Sequence, residues 1–144
     1  MIIAQSWPSK NVNCIFQRNS SVMKLFSIIE SSSHPQFSEL YKQLGYEELV
    51  FTSMRKAIQK LKTVIPDVVI ADFLYGYGNN YAGVNISNLD VFLYSLAKYA
   101  PQARMIALYE KSEQIYIKQF EALFPDVQCL LLPVSKARLE ILLR

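Results

Sequence analysis

The chain alternates short runs of apolar and β-branched residues with segments whose apolar residues recur at offsets of 3, 4 and 7. This alternation constrains the fold more than any other feature, because it is typical of βα units, in which helices connect parallel strands. The apolar runs predict five strands, at residues 13–16, 49–52, 68–71, 105–108 and 127–132. The sequence therefore predicts a doubly wound α/β domain with a five-stranded, mainly parallel sheet and helices on both faces.

The segment between the first two predicted strands has a helical pattern in two parts. Ser20 or Ser21 is placed to cap a first helix, whose inward residues are Val22, Leu25, Phe26 and Ile29. Residues 31–35 break this pattern, and a second helix is predicted by Phe37, Leu40, Tyr41 and Leu44. Gly45 then favours a left-handed stop. We expect two short helices here, or one long bent helix.

Each later strand is followed by its own helical segment. A serine stands at or next to the start of each of them, at Ser53, Ser87, Ser112 and Ser135, and serine is a favoured helix cap. The segment after Ser53 carries basic residues on or beside its outer face: Arg55, Lys56, Lys60 and Lys62. Such a run is typical of a solvated face, with contact to a partner as the alternative.

Length and composition narrow the class of protein. A chain of 144 residues with a net charge of +3 fits one domain with a real core and lacks the concentrated charge of a nucleic-acid-binding protein. No apolar run approaches the ~20 residues of a membrane span, and residues 1–5 do not read as a secretory signal. Cys14 and Cys129 are too few for a zinc or disulfide framework. We expect a reduced, cytoplasmic protein that contacts neither membrane nor nucleic acid directly.

Asp72 is the strongest candidate for a functional residue. It ends the apolar run at residues 68–71, and ligands in open α/β sheets bind at the carboxyl ends of the strands. A carboxylate at this position is placed to act as an acceptor, a base or a metal ligand. The alternative is a solvated acid that caps the following turn.

Two further segments carry less specific signals. Residues 74–83 contain three glycines, three tyrosines and no charge, which fits either a packed excursion or a recognition surface around Tyr75 and Tyr77. His34 is the single histidine and lies in a turn-like sequence with no Cys or paired acid nearby. The sequence therefore predicts neither a metal site nor a general base at His34.

Three local features give the chain a resemblance to the receiver domains of bacterial response regulators. Residues 60–72 combine a helix end, a Pro-Asp pair, an apolar strand and a final Asp. Residues 44–46, Leu-Gly-Tyr, match the usual end of the first receiver helix before the second strand. Residues 131–133 end in Leu-Pro, where the family has a Lys-Pro pair after the last strand. The resemblance covers residues 12–144 and implies a flavodoxin-like fold with strand order 2-1-3-4-5. We therefore expect one receiver-like domain over residues 1–144, with an N-terminal extension at 1–11 and a long inserted loop at 73–86.

The chain lacks most of the metal-binding and phosphate-contacting residues that the resemblance implies. In receivers, phosphorylation of the Asp equivalent to Asp72 requires Mg²⁺, which is held by that Asp and by two acids after the first strand. Here the predicted first strand is followed instead by Gln17, Arg18 and Asn19. Tyr109 stands at the switch Ser/Thr position, and Leu132 replaces the Lys before Pro133. We expect no magnesium site and no cofactor, and we expect Arg18 to pair with Asp72.

These departures predict a non-catalytic signalling module, a degenerate receiver that binds a protein partner or itself as a homodimer. The resemblance implies an interaction surface at Tyr109, Tyr116, Gln119, Lys136 and Arg138, and an output domain if the chain belongs to a longer protein. One alternative is a true phospho-acceptor receiver that uses Asp72 and Mg²⁺. Another is a flavodoxin-like domain that binds a small ligand through the tyrosine-rich loop.

Overall fold

The structure, a computed structural model, describes residues 22–76 and 87–144. Its strands are β1 (Met23–Ile28), β2 (Tyr46–Phe51), β3 (Val68–Asp72), β4 (Arg104–Tyr109) and β5 (Gln128–Leu131). Its α-helices are α1 (Ser38–Gln43), α2 (Met54–Leu61), α3 (Asp90–Tyr99), α4 (Gln114–Leu123) and α5 (Lys136–Leu143), and a 3₁₀ turn (Lys111–Glu113) leads into α4. No helix of these two ranges is both long and apolar enough to span a bilayer.

The five strands form one parallel sheet in the order β2-β1-β3-β4-β5. This confirms the predicted fold class and strand order. β3 lies at the centre and all five of its residues are buried, as expected for a parallel strand covered by helices on both faces. Asp72 ends β3 opposite Leu108 of β4, so its side chain lies at the carboxyl edge of the sheet.

Each face of the sheet buries its own apolar cluster. The face covered by α2, α3 and α4 is packed around Phe26, Phe73, Phe92 and Phe120, and the rings of Phe73 and Phe120 meet edge to face at 5.0 Å. The face covered by α1 and α5 is packed around aliphatic residues, Leu25, Ile70, Ile106, Leu139 and Leu143. The two clusters fix the helices, and with them the loops that surround Asp72.

The predicted position of the first strand is wrong. Residues 23–28, which the sequence pattern assigned to a helix, form β1, and the predicted strand at 13–16 lies outside the described residues. Leu25 faces the α1/α5 cluster whereas Phe26 and Ile28 face the α2/α3/α4 cluster. A short run that is buried on both faces shows the same offsets of 3 and 4 as a helix, so periodicity alone does not separate the two.

The remaining elements follow the prediction, with ends moved by up to three residues. The chain stops α1 and turns through Gly45 at φ +91°, a conformation that favours glycine. The Ser53 and Ser135 hydroxyls accept hydrogen bonds from the backbone N–H of Lys56 and Arg138 and cap α2 and α5. The predicted extension at 1–11 and most of the predicted loop at 73–86 lie outside the described residues.

Candidate functional site

Asp72 is buried at the carboxyl edge of the sheet and is bound by the chain that follows β1. Its side chain is 2% exposed. Oδ2 accepts hydrogen bonds from the backbone N–H groups of Glu30, at 2.8 Å, and Ser31, at 3.0 Å. Oδ1 lies 2.9 Å from Nδ1 of His34, whose side chain is also 2% exposed. Both oxygens of the carboxylate are therefore engaged by groups within the protein.

These contacts stabilise a charge that burial would otherwise make costly. An ionised carboxylate only accepts hydrogen bonds, so Nδ1 of His34 carries the hydrogen in this contact. Two backbone N–H groups and an imidazole together replace the water that a buried carboxylate loses. The site thus fixes the position of Asp72 and, through Asp72, the path of residues 30–34.

Asn88 links the Asp72 site to the segment after β3. Its Nδ2 donates to Oε1 of Glu30 at 2.7 Å and to the backbone oxygen of Asp72 at 2.7 Å, and its Oδ1 accepts from the N–H of Leu74 at 2.8 Å. The pKa of Glu30 is raised above its ordinary value, mainly because the carboxyl group is partly buried. The hydrogen bond from Asn88 lowers this pKa, and the negative charge of Asp72 raises it. Glu30 and Asp72 are therefore close enough to repel each other.

A cleft of about 140 Å³ opens beside Asp72, and its polar lining is acidic. Its lining residues are Ser31, Asp72, Phe73, Leu74, Leu108, Glu110, Ser112, Glu113 and Leu132. Glu110 accepts a hydrogen bond from the Ser31 hydroxyl at 3.3 Å, and Glu113 accepts one from the N–H of Tyr75 at 2.7 Å. Among the described residues, the lining includes three carboxylates and neither Lys nor Arg, and this charge repels anions.

The structure places the predicted pocket residues in different regions. Leu132 lines the cleft beside Asp72. Tyr109 and Pro133 line a second cleft with Arg138, near the start of α5. Pro133 also lines a third cleft with Leu132 and Glu110, and the Leu132–Pro133 peptide bond is cis. Tyr109 therefore does not face the space next to Asp72.

The predicted surroundings of the first strand require correction. Gln17, Arg18 and Asn19 do not follow β1, because β1 ends at Ile28. The position that follows supplies Glu30, so the prediction that no carboxylate stands after the first strand is wrong. The predicted Arg18–Asp72 pair lies outside the described residues, and the partner of Asp72 within them is His34.

Receivers use Mg²⁺ at this position, but the arrangement around Asp72 does not fit that ion. Mg²⁺ requires near-octahedral oxygen ligands, whereas both Asp72 oxygens accept hydrogen bonds and Oε1 of Glu30 accepts one from Asn88. Within residues 22–76 and 87–144, no three His, Cys, Asp or Glu side chains are grouped to hold a metal ion. Nδ1 of His34 lies 2.9 Å from Oδ1 of Asp72 and is hydrogen-bonded to that oxygen.

The predicted interaction surface is brought together in part. The rings of Tyr75 and Tyr116 stack with their centroids 3.6 Å apart and their planes 8° from parallel, and Tyr75 is 47% exposed. Gln119 is exposed on α4, and Lys136 and Arg138 are exposed on α5. Tyr77 lies outside the described residues. The tyrosine pair lies next to the acidic cleft, because the N–H of Tyr75 donates to Glu113.

Sequence reasoning missed His34 and Asn88, the two side chains that organise the site. His34 is 38 residues from Asp72 and Asn88 is 58 residues from Glu30, so neither pairing has a local signal. A correct assignment of β1 would have placed residues 29–34 at the carboxyl edge of the sheet, next to the end of β3. That placement is the one signal that brings His34 near Asp72.

No family model matches the chain and no curated protein matches it, but solved structures match its fold. A response regulator receiver domain protein from Clostridium thermocellum has 21% identity and a TM-score of 0.60 over 85% of this chain and 91% of that chain. A chemotaxis protein from Vibrio cholerae has 19% identity and a TM-score of 0.60 over 85% and 97%. An adenylate cyclase structure from Rhodopirellula baltica has 12% identity and a TM-score of 0.61 over 85% of each chain.

Proposed function

The chain has the fold of response-regulator receiver domains, and we propose that it is a non-enzymatic signalling module that acts through contacts with other proteins. In this proposal Asp72 is a structural residue and is not phosphorylated. The module is a degenerate receiver, without a bound cofactor, and it works in the cytoplasm. Its partner is a separate protein, a second copy of the chain or an output domain in a longer protein.

The engagement of Asp72 is the observation that carries this proposal. A phospho-acceptor needs a carboxylate oxygen that is free to attack phosphorus, and a metal ion that offsets the charge of the transferred group. Both oxygens of Asp72 instead accept hydrogen bonds from Glu30, Ser31 and His34. This use of the carboxylate favours a structural role.

The charge of the cleft supports the same conclusion. A phosphoryl group carries close to two negative charges and would enter a cleft lined by Asp72, Glu110 and Glu113. Leu132 stands where the resemblance implies a Lys, so the lining that residues 22–76 and 87–144 supply offers no ammonium group to bind a phosphate. An anionic phosphodonor is therefore disfavoured at this site.

The stacked tyrosines Tyr75 and Tyr116 are the proposed centre of the contact surface. Aromatic rings that present a large area at low entropic cost are enriched at protein interfaces. Ile115, which precedes Tyr116 in α4, is 73% exposed and adds apolar area to this part of the surface. The predicted contact residues Gln119, Lys136 and Arg138 then contribute polar groups.

Incubation with acetyl phosphate and Mg²⁺, followed by intact mass measurement, tests the proposed function. We expect no added mass for the wild-type protein, and an active receiver domain in the same reaction serves as the positive control. A mass increase of one phosphoryl group in the wild type, absent from Asp72→Asn, would contradict a phosphorylation-independent role.

A phospho-acceptor receiver is the second candidate, and Glu30 favours it. This carboxylate follows β1 and is close enough to Asp72 for the Asp72 charge to raise its pKa. Receivers place acids after the first strand, so one part of their acidic set is retained. The acetyl phosphate reaction separates the two candidates, since only an acceptor gains mass.

A further inference from the structure

The outer face of helix α2 carries positive charge without any negative charge to balance it. The helix buries Ala57 and Leu61. Exposed basic residues cover its other side and its end: Arg55, Lys56, Lys60 and Lys62. Residues 49–66 include no Asp or Glu, and in the part of the chain that the structure describes none of the four basic side chains forms a salt bridge. The face is therefore a concentrated positive surface, in a chain whose net charge is only +3.

This arrangement of charge is unfavourable for the helix itself. The first turn of a helix favours acids, but that of α2 has none and contains Arg55 and Lys56. The N–H of Lys56 donates to the hydroxyl of the capping residue Ser53 at 3.4 Å, and a glutamate at this position would complete a capping box. Lys60 follows Lys56 by four residues, so two like charges lie on the same side of the helix. Helix stability alone therefore favours a glutamate where the chain has Lys56.

An acidic partner would offset these costs. Carboxylates placed opposite Lys56 and Lys60 would replace repulsion between the two cations with attraction to the partner, and residues that lower stability are often retained where function needs them. The two acids that flank residues 49–66 are engaged elsewhere. Glu48 accepts hydrogen bonds from two serine hydroxyls, and Asp67 accepts one from the N–H of Lys24. The complementary charge therefore has to come from another molecule.

A short acidic segment of a protein fits this face better than a nucleic acid does. Helix α2 has eight residues and is about 12 Å long, which matches a short segment. Single-stranded nucleic acids are bound with the help of aromatic rings that stack on the bases, and residues 52–65 contain no aromatic residue. Ile65, just beyond α2, is 56% exposed and offers apolar contact to a partner side chain.

We propose that the outer face of α2 binds an acidic segment of a partner protein, whose carboxylates pair with Lys56, Lys60 and their basic neighbours. This inference rests on the proposed function, which is signalling through contacts with other proteins, and adds the chemistry of one partner. The surface lies on a different helix from the Tyr75–Tyr116 pair, so the two surfaces are tested separately.

Titration with a labelled oligo-glutamate peptide, followed by fluorescence anisotropy and by the amide signals of α2 in NMR spectra, tests this inference. In about 0.1 M salt, exposed charges more than about 10 Å apart are largely screened, so binding reports close contacts. We expect saturable binding to the wild type, with shifts at residues 54–62. The affinity should be about tenfold weaker in Lys56→Gln/Lys60→Gln, because two surface ion pairs are lost.

The matched control is Lys111→Gln/Lys118→Gln, which removes the same charge at two other exposed lysines and should bind the peptide as the wild type does. A further variant, Lys56→Glu, separates binding from stability. It should raise the melting temperature of the free protein by about 2 °C or more, because it completes the capping box and places opposite charges four residues apart. It should also weaken peptide binding at least as much as Lys56→Gln/Lys60→Gln.

Several outcomes would overturn the inference. A wild type that does not bind the peptide would show that the face has no acidic ligand. Equal weakening in Lys111→Gln/Lys118→Gln would show that the peptide responds to net charge and not to α2. Tighter binding of an oligothymidylate of the same charge would make the occupant a nucleic acid. A lower melting temperature of Lys56→Glu would show that the charges of α2 cost the free protein nothing. Phosphorylation of the wild type by acetyl phosphate, in contrast, would overturn the proposed function, which loss of peptide binding alone leaves in place.

Discussion

Asp72 and Asp90 are both buried carboxylates, but the donors described for them lie at very different separations along the chain. Oδ1 of Asp90, which is 0% exposed, accepts from the N–H and the hydroxyl of Ser87, three residues earlier, at 2.8 Å each. Asp72 accepts from residues 38 to 42 positions away. Asp90 holds the turn that leads into its own helix. Asp72 connects the loop after β1 to the end of β3.

A buried acid with local donors differs in its role from one that organises a site. An acid at the N-terminus of a helix is favoured by the helix dipole and by local hydrogen bonds, so its role is visible in the sequence. An acid satisfied by distant donors depends on the complete fold. Removing Asp72 should therefore affect the global fold, while removing Asp90 should affect mainly the start of α3.

The substitution Asp72→Ala should have the largest effect on stability. It leaves the N–H groups of Glu30 and Ser31 and the imidazole of His34 without their acceptor. Leaving one buried donor without an acceptor costs about 1–3 kcal/mol, and this substitution affects three donors at once. Urea unfolding measures the change, with Asp126→Ala at an exposed acid as the control. A loss as small as that of Asp126→Ala would mean that the Asp72 contacts do not support the fold.

The substitution Asn88→Ala should have the next largest effect, because Asn88 connects the regions of the two acids. Its amide makes three hydrogen bonds, to Glu30, to the backbone oxygen of Asp72 and to Leu74. Loss of these bonds should cost about 2 kcal/mol of unfolding free energy. Thermal unfolding of Asn88→Ala and Asn88→Asp measures the loss. Asp keeps an acceptor for the N–H of Leu74 but lacks the N–H donor to Glu30 and Asp72, so the comparison shows how much stability the donor contributes. Equal stability of wild type and Asn88→Ala would remove Asn88 from the network.

The substitution Asp90→Ala should cost less, about 1.5 kcal/mol, the lower end of the range for hydrogen bonds to a charged group, because it removes the acceptor of the Ser87 N–H and hydroxyl. Its effect should be local: amide exchange should accelerate near Ser87 and at the start of α3, while Glu30 and Ser31 keep their protection. Hydrogen exchange read by NMR makes this comparison residue by residue. Faster exchange at Glu30 and Ser31 as well would erase the contrast between the two acids.

The substitution Glu30→Gln should have the smallest effect, and its sign depends on pH. The folded-state pKa of Glu30 is raised above the ordinary value of 4.5, so the folded state binds this proton more tightly than the unfolded state. The resulting stability is present below pH 4.5 and is lost as pH rises through the folded pKa. Gln keeps an oxygen that accepts the hydrogen bond from Asn88, but it has no carboxyl group that titrates.

Unfolding free energies measured across this range test the sign. The wild type should lose stability relative to Glu30→Gln as pH rises from about 4 towards neutrality, by less than the three larger effects above. The contrary result, a wild type that gains stability relative to Glu30→Gln over the same range, would mean that Asp72 and burial do not dominate the environment of Glu30.

The same contrast explains how much of the molecule could be predicted from its sequence. The strand order, β3 with its terminal Asp72, and the serine caps at Ser53 and Ser135 could be predicted, because each rests on a local pattern or on the receiver resemblance. β1 could not, because Leu25, Phe26 and Ile28 are buried on both faces of the sheet and mimic a helix. His34 and Asn88 could not, since their partners are distant in sequence.

Amide hydrogen exchange at Glu30 and Ser31 is the sharpest test of a closed Asp72 site, because both N–H groups lie in an irregular loop and donate to Asp72. We predict that both amides are protected in the wild type and lose protection in Asp72→Ala, while the amides of β4 stay protected in both proteins. Exchange at Glu30 and Ser31 in the wild type as fast as at the exposed neighbour Ser32 would contradict a closed Asp72 site.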